Sequence, residues 1–355
     1  MFEQFSIEAP SSLFNQDLQH KIDNKTKPLG ALGVLESLAF QLGRIQTSLT
    51  VDVSKPKMIV FAGDHGVVAQ GVSLYPQEVT PQMVMNFLHG GAAVSVFCAQ
   101  HKVPLQVVDV GVNAELEDHP LLAKRKVAFA TNDFSQAPAM TSQALSLAIQ
   151  AGVAEVDNAL DNGVNLLMFG EMGIGNTCVS SCMMTALMGI DPEQSAGRGT
   201  GLDEGGVSKK AQVIARSLKR AEEQTGLPMA MWDAQTLAEQ VGGFEILAMA
   251  GAMLQSAQRK VAFVVDGFIC SVALLFAQKV APHVREYAIF AHQSNEKAHK
   301  SLLDALHAEP ILALDLRLGE GSGAILSYPI IQSAALFLNN MASFESAGVS
   351  DGDNI

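Results

Sequence analysis

No C-x-x-C pair occurs in this chain, and no Cys/His spacing matches a structural zinc site. The four cysteines, Cys98, Cys178, Cys182 and Cys270, fit a reduced cytosolic setting, with Cys178 and Cys182 four apart on a helix for packing. Positive charge is also scarce. Lys and Arg number 23 against 36 Asp and Glu, a net charge of −13. That balance argues against non-specific binding to nucleic acid or to an anionic membrane. An anionic substrate must then be held by local devices: helix N-termini, glycine-rich amides and a few placed cations. Met1-Phe2-Glu3-Gln4-Phe5 shows neither a basic n-region nor an apolar h-region, so the sequence predicts a cytoplasmic protein without a signal peptide.

Long apolar runs are few. Val261–Val280 is interrupted by Asp266-Gly267 and closed by Gln278-Lys279, which predicts a buried strand, a turn and a buried helix rather than a membrane span. Gly63-Asp64-His65-Gly66, with His292 and His299 elsewhere, invites a metal reading. No H-x-x-x-H or H-E-x-x-H spacing supports it, and no G-x-S-x-G elbow supports a serine triad. No internal repeat or low-complexity segment stands out.

What is present is a large apolar fraction, 48%, arranged in short β-branched runs that end in polar or glycine-rich turns. The runs are Met58–Ala62, Leu105–Val108, Asn165–Phe169, Val261–Val265, Ala288–Ala291 and Ile311–Leu316. Helical patterns separate them at Gln82–Gln100, Ser142–Asp161, Gly206–Thr225, Ile246–Gln258 and Ser294–Ala308. The alternation predicts an α/β fold: a doubly wound, mostly parallel sheet of about six strands. Residues 51–327 are the expected catalytic domain. Residues 1–50 with 328–349 are an expected small helical subdomain from the chain ends, and 350–355 a flexible tail. Parallel strands put their carboxyl ends on one edge, so Asp64, Asp109, Glu171, Asp266, His292 and Glu320 are expected to surround one cleft. Each of them alone is as well explained as a cap or turn residue.

Leu318-Gly319-Glu320-Gly321-Ser322-Gly323-Ala324 singles out one carboxylate between glycines, which let the backbone approach a ligand closely. Glu320 is therefore a candidate general base. The same turn formally fits a dinucleotide fingerprint. It follows the last predicted strand, however, and sets a carboxylate where pyrophosphate would lie. Glu171-Met172-Gly173-Ile174-Gly175-Asn176-Thr177 opens a helix, and its amides suit a phosphate or carboxylate. Arg198-Gly199-Thr200-Gly201 with Lys209-Lys210 is a second glycine-rich segment that reads either as a phosphate clamp or as solvated cations.

Taken in order, these segments resemble the nicotinate-nucleotide:dimethylbenzimidazole phosphoribosyltransferase family of cobalamin lower-ligand assembly. Lys27-Pro28-Leu29-Gly30, Ala62 to Val67, Val79-Thr80, Val108 to Gly111, Gly170 to Thr177, Val241 to Phe244, Val265 to Phe268 and Leu318 to Ala324 carry the resemblance. It implies transfer of phosphoribose from nicotinate mononucleotide to a benzimidazole-type base by a cytoplasmic homodimer, with no cofactor and no metal. It places the catalytic carboxylate on Glu320. By the same analogy Gly173, Gly199, Lys210 and Ser294 contact phosphate and nucleotide, together with Gly175 and Asn176 of the glycine turn. Glu171 and Asp266 line the site in supporting roles, with Leu318. Tyr75 and Met83 stand where other members carry polar groups, which implies a more apolar base pocket.

Overall fold

Alternating runs of β-branched residues form a single six-stranded sheet in a computed structural model that describes residues 2–199 and 201–350. The strands are β1 (Pro56–Gly63), β2 (Leu105–Gly111), β3 (Leu122–Lys124), β4 (Leu166–Met172), β5 (Phe263–Val265) and β6 (Ala288–Phe290). Their spatial order is β3-β2-β1-β4-β5-β6 and every pairing is parallel. This is the doubly wound arrangement, whose ligand crevice opens where neighbouring strands lead off in opposite directions, here between β1 and β4.

The helices run α1 (Asn15–Asp23), α2 (Val34–Gln46), α3 (Val79–Leu88), α4 (Ala93–His101), α5 (Ser142–Asp161), α6 (Asn176–Met188) and α7 (Pro192–Ser195). After these come α8 (Glu204–Thr225), α9 (Ala234–Val241), α10 (Phe244–Gln258), α11 (Phe268–Val280), α12 (His299–Ala305), α13 (Ser322–Asn340) and α14 (Phe344–Ala347). α10 packs on β1, β2 and β4 beside α5 and α11. α3 lies on β1, β2 and β4, and α13 on β4 with α2 and α4 around it. β4 is buried along its whole length, and its Leu166, Leu167, Met168 and Phe169 sit in the main core. Burying such a side chain is worth ~1.5–3 kcal/mol, so the edge that carries the site rests on the best-anchored strand of the sheet.

Three predicted elements differ, one of them the helix expected over Ser294–Ala308, of which only α12, His299–Ala305, is helical. Ile311–Leu316 is not a strand. It runs extended beside β6 with one bridge, His292 to Leu312, and the left-handed φ of 55° at Asp315 ends any ladder. The sixth strand is β3 instead, three residues without β-branching that give a sequence reading little to find. The single helix expected over Gln82–Gln100 breaks at Gly90-Gly91, where Gly90 has a φ of 79°, into α3 and α4. Val79–His101 has the mean hydropathy of a membrane span, 1.2, but this break divides it. Residues 351–355 of the expected tail, and Thr200 of the expected clamp, lie outside the described residues.

Candidate active site

The carboxyl end of β4 and the turn before α13 meet over the β1–β4 crevice. Gly319, Glu320 and Gly321 take successive left-handed φ values of 80°, 66° and 86°. Two glycines accept that conformation freely, but a side-chain-bearing residue held there is strained. The surroundings over-determine it. Glu171 Oε1 accepts the Glu320 N–H at 3.3 Å, and Asp266 accepts the N–H groups of Gly321 at 3.2 Å and Ala324 at 2.8 Å. Asp266 thereby caps the N-terminus of α13, where a negative charge is also favoured by the helix dipole. A Cβ on Gly319 would strike the Glu171 carboxylate, and one on Gly170 would strike the Glu320 carbonyl. The turn is a fixed platform for one acid.

Glu171, Asp266 and Glu320 are all buried and line one cavity of about 420 Å³, within the ~300–1,000 Å³ usual for small-molecule sites. Burial pushes the Glu320 carboxyl up to about 7, helped by the charge of Asp266. Burial likewise lifts Glu171 to about 8, against the hydrogen bond from the Glu320 N–H and with the negative charges of Glu245, Asp266 and Glu320 adding to the rise. Asp266 is raised by burial, against the pull of His292 and of the α13 amides. Glu320 Oε2 is buried with no hydrogen-bond partner among the described residues, while Glu171 Oε2 takes the Asn176 amide. Of the three acids, then, Glu320 has an oxygen free to meet a ligand.

The apolar part of the lining is Tyr75, Val79 and Met83 with Ile174 and Leu318. Tyr75 and Leu318 are half exposed and form the mouth. The polar and glycine-rich part of the lining is Gly173, Asn176, Thr177, Gly199 and Ser294 with Arg317 and Glu296. α6 begins in this part of the lining, with Asn176 and Thr177, and a helix N-terminus is the device a generally acidic protein needs for an anion. A cavity lined by apolar side chains, a glycine-rich helix start and a proton-accepting acid can bring an aromatic base and a sugar phosphate together.

A family model described as phosphoribosyltransferase matches residues 7–349. The chain belongs to this family. It is 50% identical to the nicotinate-nucleotide–dimethylbenzimidazole phosphoribosyltransferase of Cupriavidus necator, across 94% of each chain. With the protein of the same name from Aromatoleum aromaticum it shares 48% identity over 98% of this chain and 99% of that one. The crystal structure of CobT from Thermus thermophilus superposes with a TM-score of 0.91 at 42% identity, covering 95% of this chain and 99% of that one.

Within this family frame, the structure gathers most of the residues singled out from sequence. Glu320, Glu171, Gly173, Asn176, Gly199, Asp266, Ser294, Leu318, Tyr75 and Met83 all line the cavity. Gly175 and Lys210 stand behind its wall. Lys210 is buried, donates to Gly197 O at 3.0 Å and Thr177 Oγ1 at 3.2 Å, and has its pKa lowered by that burial. It braces the Gly197–Gly199 loop from within.

Two of the six expected strand-end residues do not reach the cleft. Asp64 accepts from Thr80 Oγ1 at 2.6 Å and Asn113 N at 2.8 Å, and Asp109 pairs with Lys126 Nζ at 2.9 Å while accepting from Val112 N. Both are structural. His65, one residue on, is fully buried against Glu245 at 2.9 Å. Sequence reasoning did not single out Arg317 and Glu296. The only signal for Arg317 was its position one residue ahead of Leu318.

Proposed function

We propose that this protein transfers the 5-phosphoribosyl group of nicotinate mononucleotide to 5,6-dimethylbenzimidazole or a related lower-ligand base, giving α-ribazole 5′-phosphate and nicotinate in cobalamin assembly. The observation that carries the chemistry is Glu320. It is buried and lines the same cavity as the apolar and the polar groups, with one unpartnered oxygen and a pKa raised to about 7. A base nitrogen attacks C1′ from the face opposite the nicotinate, forming the new C–N bond with inversion. The old C1′–N bond breaks, and its electron pair neutralises the pyridinium nitrogen. The base N–H grows acidic as positive charge develops on the ring, and Glu320 takes that proton.

A carboxylate with a pKa near the working pH is the effective base, since it is ionised yet still basic. Glu171 and Asp266 act by holding the turn, and the charge of Asp266 helps burial keep Glu320 basic. The glycine turn, Gly199 and Ser294 bind the phosphate, so remote binding energy aligns C1′. The apolar wall with Tyr75 and Met83 suits flat, weakly polar bases over strongly hydrogen-bonding ones.

On family grounds the protein works as a cytoplasmic homodimer on these small molecules. Residues 1–50 and 328–349 form a small helical unit, which shares α13 with the sheet domain. Incubation with nicotinate mononucleotide and dimethylbenzimidazole, followed by chromatography for α-ribazole phosphate, tests the reading; well-folded protein that forms none at any pH refutes it. Light scattering tests the dimer.

A further inference from the structure

The Gly-Asp-His-Gly segment after β1 has no part in the chemistry above, yet its Asp64 is wired to the glycine turn. Asp64 and Thr80 are both fully buried. The Thr80 hydroxyl donates to Asp64 Oδ1 at 2.6 Å and accepts the Ile174 N–H at 3.0 Å. Asp64 Oδ2 is occupied by Asn113 N–H at 2.8 Å. A carboxylate can only accept from a hydroxyl, so Asp64 fixes the direction of the Thr80 O–H and turns its lone pair onto Ile174. The other side of the same peptide is held too, because Gly173 O accepts the Asn176 N–H at 3.1 Å. The close approach of β1 to this turn leaves little slack. A Cβ on Gly173 would strike the Gly63 carbonyl. Thr80 also belongs to α3, whose Val79 and Met83 line the apolar slot.

We propose that Thr80, its hydroxyl aimed by Asp64, is a positioning residue that locks the Gly173–Ile174 peptide and so registers the anion-binding turn against the base-binding helix. The lock is short, buried and charge-assisted, the kind that holds its geometry best. Its value for binding rests on the phosphoribosyl-transfer reading; the lock itself does not. Thr80→Val keeps the shape and removes the hydroxyl, leaving the Ile174 N–H and Asp64 Oδ1 unpaired in the interior. Thr80→Ser keeps the hydroxyl, and Thr80→Ala is the smaller replacement should Val fail to fold.

Two measurements on the full chain decide it: amide hydrogen exchange of peptides covering 172–178, and the Kd for nicotinate mononucleotide by calorimetry. Faster exchange confined to that turn, with nucleotide binding weakened about tenfold in Val or Ala and within about twofold of wild type in Ser, is the expected result for a supporting group of this kind. Unchanged exchange in the turn overturns the lock. Faster exchange with unchanged Kd overturns its role in binding. If wild-type protein binds no nucleotide, the transfer reading fails, and exchange alone still decides the lock.

Discussion

Two sets of acids stand at strand ends on the same edge of one sheet, and they have opposite fates. On β1 and β2, Asp64 and Asp109 have their lone pairs filled by Thr80, Asn113, Val112 and Lys126. Around β4, β5 and the turn before α13, Glu171, Asp266 and Glu320 crowd together over a cavity, and Glu320 keeps a buried oxygen unpartnered. The difference is not exposure, since all five are buried. It is saturation. A buried acid whose acceptors are all satisfied is a strut, whereas one that keeps an unpartnered oxygen over a cavity has its chemistry still to do.

Replacing Glu320 with Ala strikes the unsaturated set at its centre and carries the largest expected effect. Turnover falls by roughly 10²–10⁴, the range for loss of a general base, while the nucleotide Kd stays within a few-fold of wild type. Steady-state assays with calorimetry on the same preparation separate the two, and near-normal turnover would remove Glu320 from the mechanism. Asp109→Asn strikes the saturated set. It breaks a buried pair with Lys126 and should cost about 3 kcal/mol of stability in urea denaturation, with turnover per folded molecule unchanged. A kinetic defect of the folded variant would erase the contrast between the two sets.

How far this contrast was legible in the sequence follows from the same physics. Alternating β-branched runs and glycine-rich turns are local, so the doubly wound sheet, the Glu171 turn and the Glu320 turn could all be read. Saturation is not local. The partner of Asp64 is Thr80, sixteen residues on, and that of Asp109 is Lys126, so nothing in Gly63-Asp64-His65-Gly66 distinguishes it from a site motif. Ile311–Leu316 has a strand's composition, but its neighbour β6 gives it one bridge rather than a ladder. Lys210 read either as a phosphate clamp or as a solvated cation, and the long helix α8 instead carries it inward to the loop at Gly197.

The pH dependence sharpens the comparison further. With Glu320 raised to about 7, its ionised and active form should grow about tenfold between pH 6 and pH 8, so kcat rises across that window and levels off above it. A flat profile from pH 6 to 8, with chemistry shown to limit the rate, would mean that Glu320 is not the group accepting the proton.

The smallest expected effect is on stability. Glu171 is raised to about 8 in the folded protein from an ordinary value near 4.5. Between those values the folded state binds the proton that the unfolded chain has released, so unfolding is increasingly favoured as pH rises. The contribution of Glu171 is thus most favourable below about pH 4.5 and is lost progressively toward pH 8. Gln at 171 has no proton to lose. Glu171→Gln should therefore flatten the fall in thermal stability from pH 5 to pH 8, by of the order of 1 kcal/mol after allowance for relaxation around the buried cluster. The same scan on Asp109→Asn should run parallel to wild type, because that change leaves the crowded acids untouched. Parallel curves for both variants would mean that the acids around Glu320 do not share their charge in the way their burial implies.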